Sequence, residues 1–439
     1  MTKVHQVTRE QEELEFDAFP HEAQSGIEKM KEPKQTRARC LRILSAVLVY
    51  SVAFQVVLAA DEDMPALASA NTAFGFAMMK QVLRERSDAN VFISPYSISA
   101  ALQMLWQGAG GQTKKEMDQV LALSGLKIEA AGAAYNGLDK SIKAAGSNVV
   151  LNIANSIWYA PNIVLKPQFL SMNQNFYGAK LSALDFTDPR SAGVVNSWVS
   201  EATHGKIAKI VDPPLSSMTG AFLANAIYFK GTWEHKFDTS TTKEQPFHLR
   251  SGQQKQTSMM RQNRKFTYQE NGAFQAVRLP YAGERLGMFV FLPSTNSNPE
   301  KILEAVNADN WQKEIIPKFE ERDGTVVLPR FKLDFKADLI PALKAMGIRQ
   351  AFTQAADFSG ISETEMFVSG VDHASFVEVN EEGTEAAAAT GITMRMTAVR
   401  PTVKPFQMIV DRPFFFVIED SLTHSILFMG IVNEPGATN

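Results

Sequence analysis

The first third of residues 61–439 has apolar residues spaced as in amphipathic helices. Between positions 66 and 83 they fall near one helical face, and Ser94 and Pro95 suit the N-cap and first turn of a second helix. The same spacing predicts further helices over residues 113–122, 128–144, 166–177 and 189–204. This part of the chain is therefore predicted to be helical.

From about residue 219, short apolar runs separated by turn residues predict strands. Residues 221–231 are apolar almost throughout, as in a central strand buried on both faces, and Asn225 is the one polar residue in the interior of this run. Other strands are predicted over residues 275–281, 286–292, 325–331, 403–410, 413–419 and 425–432. Helices followed by large sheets predict an α+β fold class.

The first sixty residues have a different character. Residues 1–42 alternate acidic and basic clusters without an apolar period, which predicts a disordered N-terminal extension. Residues 43–60 are uncharged and mostly apolar, with basic residues before them and acidic residues after, which is typical of a signal peptide. An uncleaved signal anchor or a mis-chosen start codon would also explain the long leader.

The signal peptide interpretation predicts a secreted or extracytoplasmic protein, periplasmic if the source is bacterial. Its mature part would not associate with a membrane unless residues 43–60 stay uncleaved. We find no linker, charge run or internal repeat within residues 61–439, so this region is predicted to be a single domain.

Composition and charge exclude several classes of protein. The 44 Lys+Arg residues against 47 Asp+Glu give a net charge of -3, so nucleic acid is not an expected partner. Cys40 is the one cysteine, which excludes an intramolecular disulfide framework and any multi-cysteine metal site.

Catalytic and ligand-binding motifs are absent where the sequence would display them. Residues 108–115 (GAGGQTKK) contain glycines and lysines without the spacing of a phosphate-binding loop. The five histidines after residue 60 are not paired at metal-ligand spacing, so neither a metal nor a cofactor is expected. An enzyme is therefore not expected, and a Ser-His-Asp triad assembled across the fold stays open as the alternative.

One segment, residues 377–406, combines small, polar and basic residues. It begins as a strand, passes a turn at residues 383–385 and runs through four alanines before Thr390 and Gly391. A short helix or an idle surface loop would explain this composition. However, about twenty residues without an apolar period favour a functional loop.

Four segments of the chain resemble the signature blocks of the serpins, which inhibit serine proteases as suicide substrates. They are NVFISPYSISAALQML at 90–105, FLANAIYFKGTWEHKF at 222–237, VEVNEEGTEAAAAT at 377–390 and RPFFFVIEDSLTHSILFMGIVNEP at 412–435. The resemblance implies a metastable fold of about nine helices and three β-sheets with an exposed reactive-centre loop.

The resemblance also implies a mechanism. A serine protease, or in a second class a cysteine protease, would attack the loop and be trapped as a covalent acyl-enzyme. The cleaved loop would insert into the main sheet as a new strand. The expected partner is therefore a target protease, and the inhibitor itself is expected to be a monomer.

The hinge of the loop is assigned by the same resemblance to Glu381, Gly383, Thr384, Glu385, Ala386, Ala387, Ala388, Ala389 and Thr390. An inserting strand buries alternate side chains, and large or charged groups there would be costly. The even-numbered positions are all small, whereas Glu385 lies on the other parity and can stay solvated. This hinge favours an inhibitor over a non-inhibitory serpin acting as a binding, carrier or chaperone protein.

Ser94, Ser97, Asn225 and His373 match the shutter, the polar region beneath the strands that part during insertion. Each residue also has a simpler interpretation, such as a helix cap for Ser94 or a satisfied core histidine for His373. The match of all four favours the shared role.

Trp233 and Arg330 match the breach, where insertion begins. Trp233 would cover that point, although packing alone would explain an aromatic residue there. Arg330 would pair with Glu381 at the base of the loop, and an inert surface ion pair is the alternative.

The attacked bond depends on how the loop is counted. The resemblance implies that the attacked residue follows the hinge glycine by about fourteen positions, and from Gly383 this count reaches Thr397. Thr397-Ala398 is then the preferred bond, and its small residues suit an elastase-like protease. Arg395-Met396 would suit a trypsin-like enzyme, and Met396-Thr397 a chymotrypsin-like one. The loop is a few residues longer than in common members, so counting back from Pro413 instead reaches Val399 or Arg400.

Overall fold

The computed structural model describes residues 63–86, 88–146, 148–217, 219–384 and 404–436. The helices of these residues are α1 (residues 63–85), α2 (Pro95–Trp106), α3 (Gly111–Val120), α4 (Ile128–Lys143), α5 (Pro167–Tyr177), α6 (Ser191–Ala202), α7 (Pro299–Ala305), α8 (Ala308–Asn310) and α9 (Ile340–Met346). Ser94 caps α2 as predicted, since its side chain accepts a hydrogen bond from the Ser97 N–H and Pro95 opens the first turn.

Fifteen strands lie in the same residues. They are β1 (Val91–Ile93), β2 (Val149–Tyr159), β3 (Lys180–Ala183), β4 (Ala221–Thr232), β5 (Lys243–His248), β6 (Gln254–Glu270), β7 (Phe274–Pro280), β8 (Leu286–Pro293), β9 (Glu320–Pro329), β10 (Phe331–Asp338), β11 (Val368–Asn380), β12 (Gly383–Thr384), β13 (Phe406–Ile409), β14 (Phe414–Asp420) and β15 (Ser425–Val432). The α+β fold class is confirmed.

The strands of the described residues form two hydrogen-bonded sheets, where three were expected. The larger has nine strands in the order β1-β15-β14-β8-β7-β6-β9-β13, with β5 paired to β6. The 17-residue strand β6 joins two groups of strands, because its first part pairs with β5 and its later part pairs with β9 and β7. The second sheet has the order β10-β11-β12-β4-β2-β3, and β11 also pairs directly with β4.

Strand β4 is buried on both faces, as predicted for residues 221–231. One face packs into the main hydrophobic core through Ala221, Leu223, Ile227 and Phe229. The other face packs into a second core that also includes residues of α6, through Phe222, Ala224, Ala226 and Tyr228. A strand placed beside β4 must therefore fit two apolar environments.

The glycines of residues 108–115 allow a close approach between two segments. A Cβ atom at Gly110 would lie 2.5 Å from Oδ2 of Asp357, whose carboxylate sits beside the start of α3. The backbone N–H of Asp357 donates to the Thr113 hydroxyl at 2.9 Å. The glycines of this segment therefore serve packing against residue 357.

Three strands differ most from the sequence prediction. Strands β2 and β6 and the first part of β11 were not predicted. In β2 the polar residues Asn152, Asn155 and Ser156 interrupt the apolar pattern, and in β6 exposed residues such as Arg261 and Lys265 weaken it. Tertiary pairing, and not local pattern, makes these segments extended.

Candidate functional site

The boundary between β4 and β11, which we call the seam, is closed along one part and opened at one end. The strands pair in parallel from Val368 opposite Ala221 to Phe376 opposite Tyr228. At the other end, β12 lies between them and runs antiparallel to both, with Thr384 opposite Gly231 and Val379. The hinge residues Gly383 and Thr384 therefore already occupy the first two positions of an added strand.

Two glycines permit this close packing. Gly383 has a φ of +147°, and a Cβ atom there would collide with the carbonyl oxygen of Gly231. A Cβ atom at Gly231 would lie 2.7 Å from the ring of Tyr281. A larger residue at either position would push β12 out of the seam.

Thr384 is fully buried and anchors β12 to the layer beneath the sheet. Its hydroxyl lies 2.8 Å from the hydroxyl of Tyr281, and burial raises the pKa of that tyrosine. The Tyr281 ring in turn stacks on Trp233, with ring centroids 4.6 Å apart. A charged side chain at residue 384 would enter this aromatic layer.

Trp233 covers the point where β12 enters the seam. Its indole N–H donates to the Asn380 carbonyl at 3.0 Å, and its backbone N–H donates to the Glu382 carbonyl at 2.9 Å. The ring is almost completely buried. Trp233 therefore holds both the end of β11 and the turn that leads into β12.

Arg330 and Glu381 form a buried ion pair at the base of the same turn. The guanidinium makes three hydrogen bonds of 2.6–2.9 Å to the carboxylate, and the Thr242 hydroxyl donates to it at 2.5 Å. Burial raises the pKa of Glu381, but the hydrogen bonds from Arg330 and Thr242 outweigh it and hold the pKa below its usual range. The pair is thus ionised and fixes the turn.

Asn225 links three elements beneath the seam. Its amide nitrogen donates to the Ser97 hydroxyl of α2 and to Oδ1 of Asn155 on β2, each at 2.6 Å. Its amide oxygen lies 2.6 Å from Nδ1 of His373, which stands directly opposite on β11. All four side chains are buried, so the seam cannot part here without breaking hydrogen bonds that water does not replace.

The hydrogen bonds of His373 define its protonation. Nδ1 donates to the Asn225 oxygen, and Nε2 accepts from the backbone N–H of Ser94 at 3.3 Å. Burial lowers the pKa of His373 to about 3, so the ring is neutral. Ser94 caps α2, and its hydroxyl also donates to the Leu427 carbonyl at 2.6 Å; its role in the shutter stays a prediction.

Sequence reasoning missed Asn155, Tyr281 and Thr242, which contact predicted site residues. Asn155 lies on the unpredicted strand β2, opposite Asn225. Tyr281 and Thr242 are distant in sequence from the residues they touch. The local sequence carries no clear strand signal for Asn155, because the polar residues of β2 interrupt its apolar pattern.

The remaining site residues lie outside the described residues. They are Glu385, Ala386, Ala387, Ala388, Ala389 and Thr390 of the hinge, and Arg395, Met396, Thr397 and Ala398 around the candidate bonds. The same holds for residues 1–42 and 43–60.

Two negative findings concern only the part of the chain that the structure describes. Its His, Cys, Asp and Glu side chains do not gather in threes around a position that a metal ion could take. Its helices are all too short or too polar to cross a bilayer.

Comparison with known proteins decides the family. Residues 69–435 match the family model described as "Serpin (serine protease inhibitor)". The chain belongs to the serpin family. It is 35% identical over 383 residues to the leukocyte elastase inhibitor of Bos taurus, covering 85% of this chain and 100% of that protein. It is 36% identical over 384 residues to serpin B6 of Pongo abelii, with the same coverage.

A solved structure supports the same assignment. Serpin48 of the insect Tenebrio molitor aligns with a TM-score of 0.76 and 29% identity, covering 86% of this chain and 99% of that structure. The serpin fold expected from the sequence is therefore confirmed, and so is the function of this serpin, inhibition of serine proteases.

The predicted secretion of this serpin is wrong. The bovine leukocyte elastase inhibitor and serpin B6 are matched over their whole length by 85% of this chain, and the family match begins at residue 69. These relatives therefore contain no counterpart of a signal peptide, and a secreted or extracytoplasmic protein is not supported. A short uncharged apolar run with basic residues before it was insufficient evidence for export.

Proposed function

We propose that this serpin traps a serine protease as a covalent acyl-enzyme by inserting its cleaved loop into the seam, and that the attacked bond is Thr397-Ala398. The observation that carries the proposal is the antiparallel pairing of β12 with both β4 and β11. Two hinge residues already sit in the register that a longer inserted strand would follow.

Continuing that register brings the hinge to the polar cluster. Asn225 and His373 lie six residues before Gly231 and Val379, so residue 390, six residues beyond Thr384, would lie opposite them in an inserted strand. Thr390 would then separate the two side chains and offer its hydroxyl to both. A small polar residue suits that position better than an apolar one.

The alternation of side chains between the two faces of a strand explains why the hinge contains alanines. Thr384 faces the main core, so Ala386 and Ala388 would face it as well, opposite Phe229 and Ile227 of β4. Both partners are large, which leaves room only for small side chains. Glu385 would face the other side, opposite Lys230. The composition of the hinge thus supports insertion.

The length of the seam supports the choice of bond. Ala221, the first residue of β4, would lie opposite residue 394. Cleavage at Arg395-Met396 would leave one residue beyond the sheet, whereas cleavage at Thr397-Ala398 leaves three to span the sheet edge. The name of the relatives called leukocyte elastase inhibitors agrees with small residues on both sides of the bond.

The energy available is sufficient to hold a protease. About a dozen new backbone hydrogen bonds at roughly 1 kcal/mol net each give on the order of 10 kcal/mol. We further propose that residues 61–439 act as one domain and as a monomer, without catalytic turnover of their own. In the alternative, a non-inhibitory serpin, the loop would be cut without trapping the protease.

Incubation with pancreatic elastase, chymotrypsin and trypsin tests the proposal. The expected result is a complex with elastase that survives denaturation, and a released C-terminal peptide that begins at Ala398 by mass spectrometry. A peptide that begins at Met396 with trypsin trapped would overturn the assigned bond. Cleavage by all three proteases without any stable complex would overturn trapping itself.

A further inference from the structure

The far end of the seam is covered by an aromatic ring. Phe222 of β4 lies directly opposite Gly370 of β11. A Cβ atom added to Gly370 would lie 2.5 Å from Cδ2 and 2.9 Å from Cε2 of the Phe222 ring. The ring is 5% exposed. It therefore reaches across the seam and rests on the partner strand, where glycine alone leaves room for it.

The backbone at this end supports the same closure. The pairing of β11 with β4 is irregular between Val368 and Gly370. The hydroxyl of Ser369 donates to the Ala221 carbonyl at 3.1 Å, which adds a hydrogen bond between the strands at the irregularity. At this end of the seam an inserting strand must therefore displace side-chain contacts as well as backbone pairing.

A cavity of about 500 Å³ adjoins the ring. Phe222, Gly370, Phe186, Val211 and Leu215 are among the residues that line it. A cavity of roughly 150 Å³ is enough to hold benzene, so the Phe222 ring has space to turn into this one. The closed ring therefore has an available second position.

The register shows why the ring has to move. In an inserted strand that kept the register of β12, residue 393 would lie nine residues beyond Thr384 and opposite both Phe222 and Gly370. Residues directly opposite in a sheet point to the same face, so the side chain of residue 393 would enter the volume that the ring now fills. The strands must also separate from about 4.8 Å to about twice that spacing.

We propose that Phe222 is a steric bolt on the seam. Its ring holds the far end of β4 and β11 together until the inserting strand turns it into the adjoining cavity. The ring acts on insertion through the position of β11, so Phe222 is a positioning residue. The inference rests on the proposed function, because it concerns the last stage of loop insertion.

A peptide-annealing experiment tests the bolt without any protease. The intact protein is incubated with a synthetic peptide of residues 385–396 (EAAAATGITMRM), which starts where β12 ends, and the rate of complex formation is followed on native gels. Phe222→Ala is expected to anneal about tenfold faster than wild type, a factor that corresponds to 1.36 kcal/mol of barrier. Phe222→Leu, which keeps more of the packing, is expected to be intermediate and serves if the alanine variant does not fold.

Phe186→Ala is the matched control. Phe186 is equally buried and lines the same cavity, but it does not lie on the seam. Its truncation is expected to leave the annealing rate within a factor of two of wild type. If Phe186→Ala accelerates annealing as much as Phe222→Ala does, the proposed role of Phe222 is refuted. A general loss of packing would then explain the faster annealing.

A second variant tests the cavity itself. Leu215→Trp fills the space into which the ring would turn. It should therefore slow annealing when Phe222 is present and have no effect when it is combined with Phe222→Ala. Equal slowing in both backgrounds would refute the second ring position. If Phe222→Ala anneals faster than Phe222→Leu, and Phe222→Leu faster than wild type, but the wild-type protein traps no protease, the proposed function is contradicted and the role of Phe222 is still supported.

Discussion

Replacement of Arg330 by glutamine isolates the energy of the ion pair at the base of the loop. Glu381 has a side chain that is only 3% exposed, and it would lose three hydrogen bonds from the guanidinium. Removal of one partner from a buried ion pair costs about 3–5 kcal/mol. Because Arg330 is itself 32% exposed, water replaces part of the interaction, and about 2–3 kcal/mol is expected.

The assay is thermal unfolding as a function of pH. A loss of this size should lower the Tm by roughly 3–4 °C for a domain of this length. The pKa of Glu381 is depressed in the folded protein, so the stabilisation is present above the ordinary glutamate pKa of about 4.3 and is lost as the pH falls through the lower folded value. The difference between wild type and variant should therefore shrink below about pH 4.3.

Lys265→Gln is the control for a surface ion pair. Lys265 lies 3.6 Å from Glu321, both side chains are more than half exposed, and the variant should lose less than about 0.5 kcal/mol. A Tm for Arg330→Gln equal to that of Lys265→Gln would refute the reasoning, as would a difference from wild type that is unchanged down to pH 3.

Three further predictions concern the seam. Cleavage of the loop between residues 392 and 400 should raise the Tm sharply, because the freed strand completes the sheet, whereas an unchanged or lower Tm after limited proteolysis would contradict insertion. Thr384→Arg should convert the inhibitor to a substrate, since a cation cannot enter the layer of Tyr281 and Trp233, and trapping at wild-type stoichiometry would count against this reasoning. Burial and the neighbouring Asp338 raise the pKa of Asp372 to about 7, so wild type should lose stability between about pH 4 and 7 as the unfolded chain ionises first. Asp372→Asn should remove that loss, and a Tm difference from wild type that is equal at pH 4 and pH 8 would disprove it.

Much of the fold followed from local pattern. The helices around Ser94 and Pro95 and the buried strand 221–231 were predictable because caps and apolar runs act over a few residues. The positions of His373 and Arg330 came from the family resemblance. Their partners Asn225 and Glu381 are 148 and 51 residues away, and only the tertiary fold determines those contacts.

Other features were beyond the sequence. Asn155 was missed because β2 owes its extended form to pairing with β4 along its whole length. The contact of Phe222 with Gly370 depends on a register between strands 148 residues apart. The signal peptide prediction failed for a different reason. It relied on a local apolar pattern in residues 43–60, and the relatives contain no counterpart of that segment.

The hydrogen bonds of Asn225 make the resistance of the seam depend on position. The residues just after Thr384 would pass Lys230 and mostly apolar partners, whereas the sixth would meet an amide that is hydrogen-bonded at once to β2, α2 and β11. This hydrogen-bonded cluster therefore opposes loop insertion at one position part-way along the seam. A chain segment that ends before residue 390 would leave these hydrogen bonds intact, whereas one that reaches this point would have to break them.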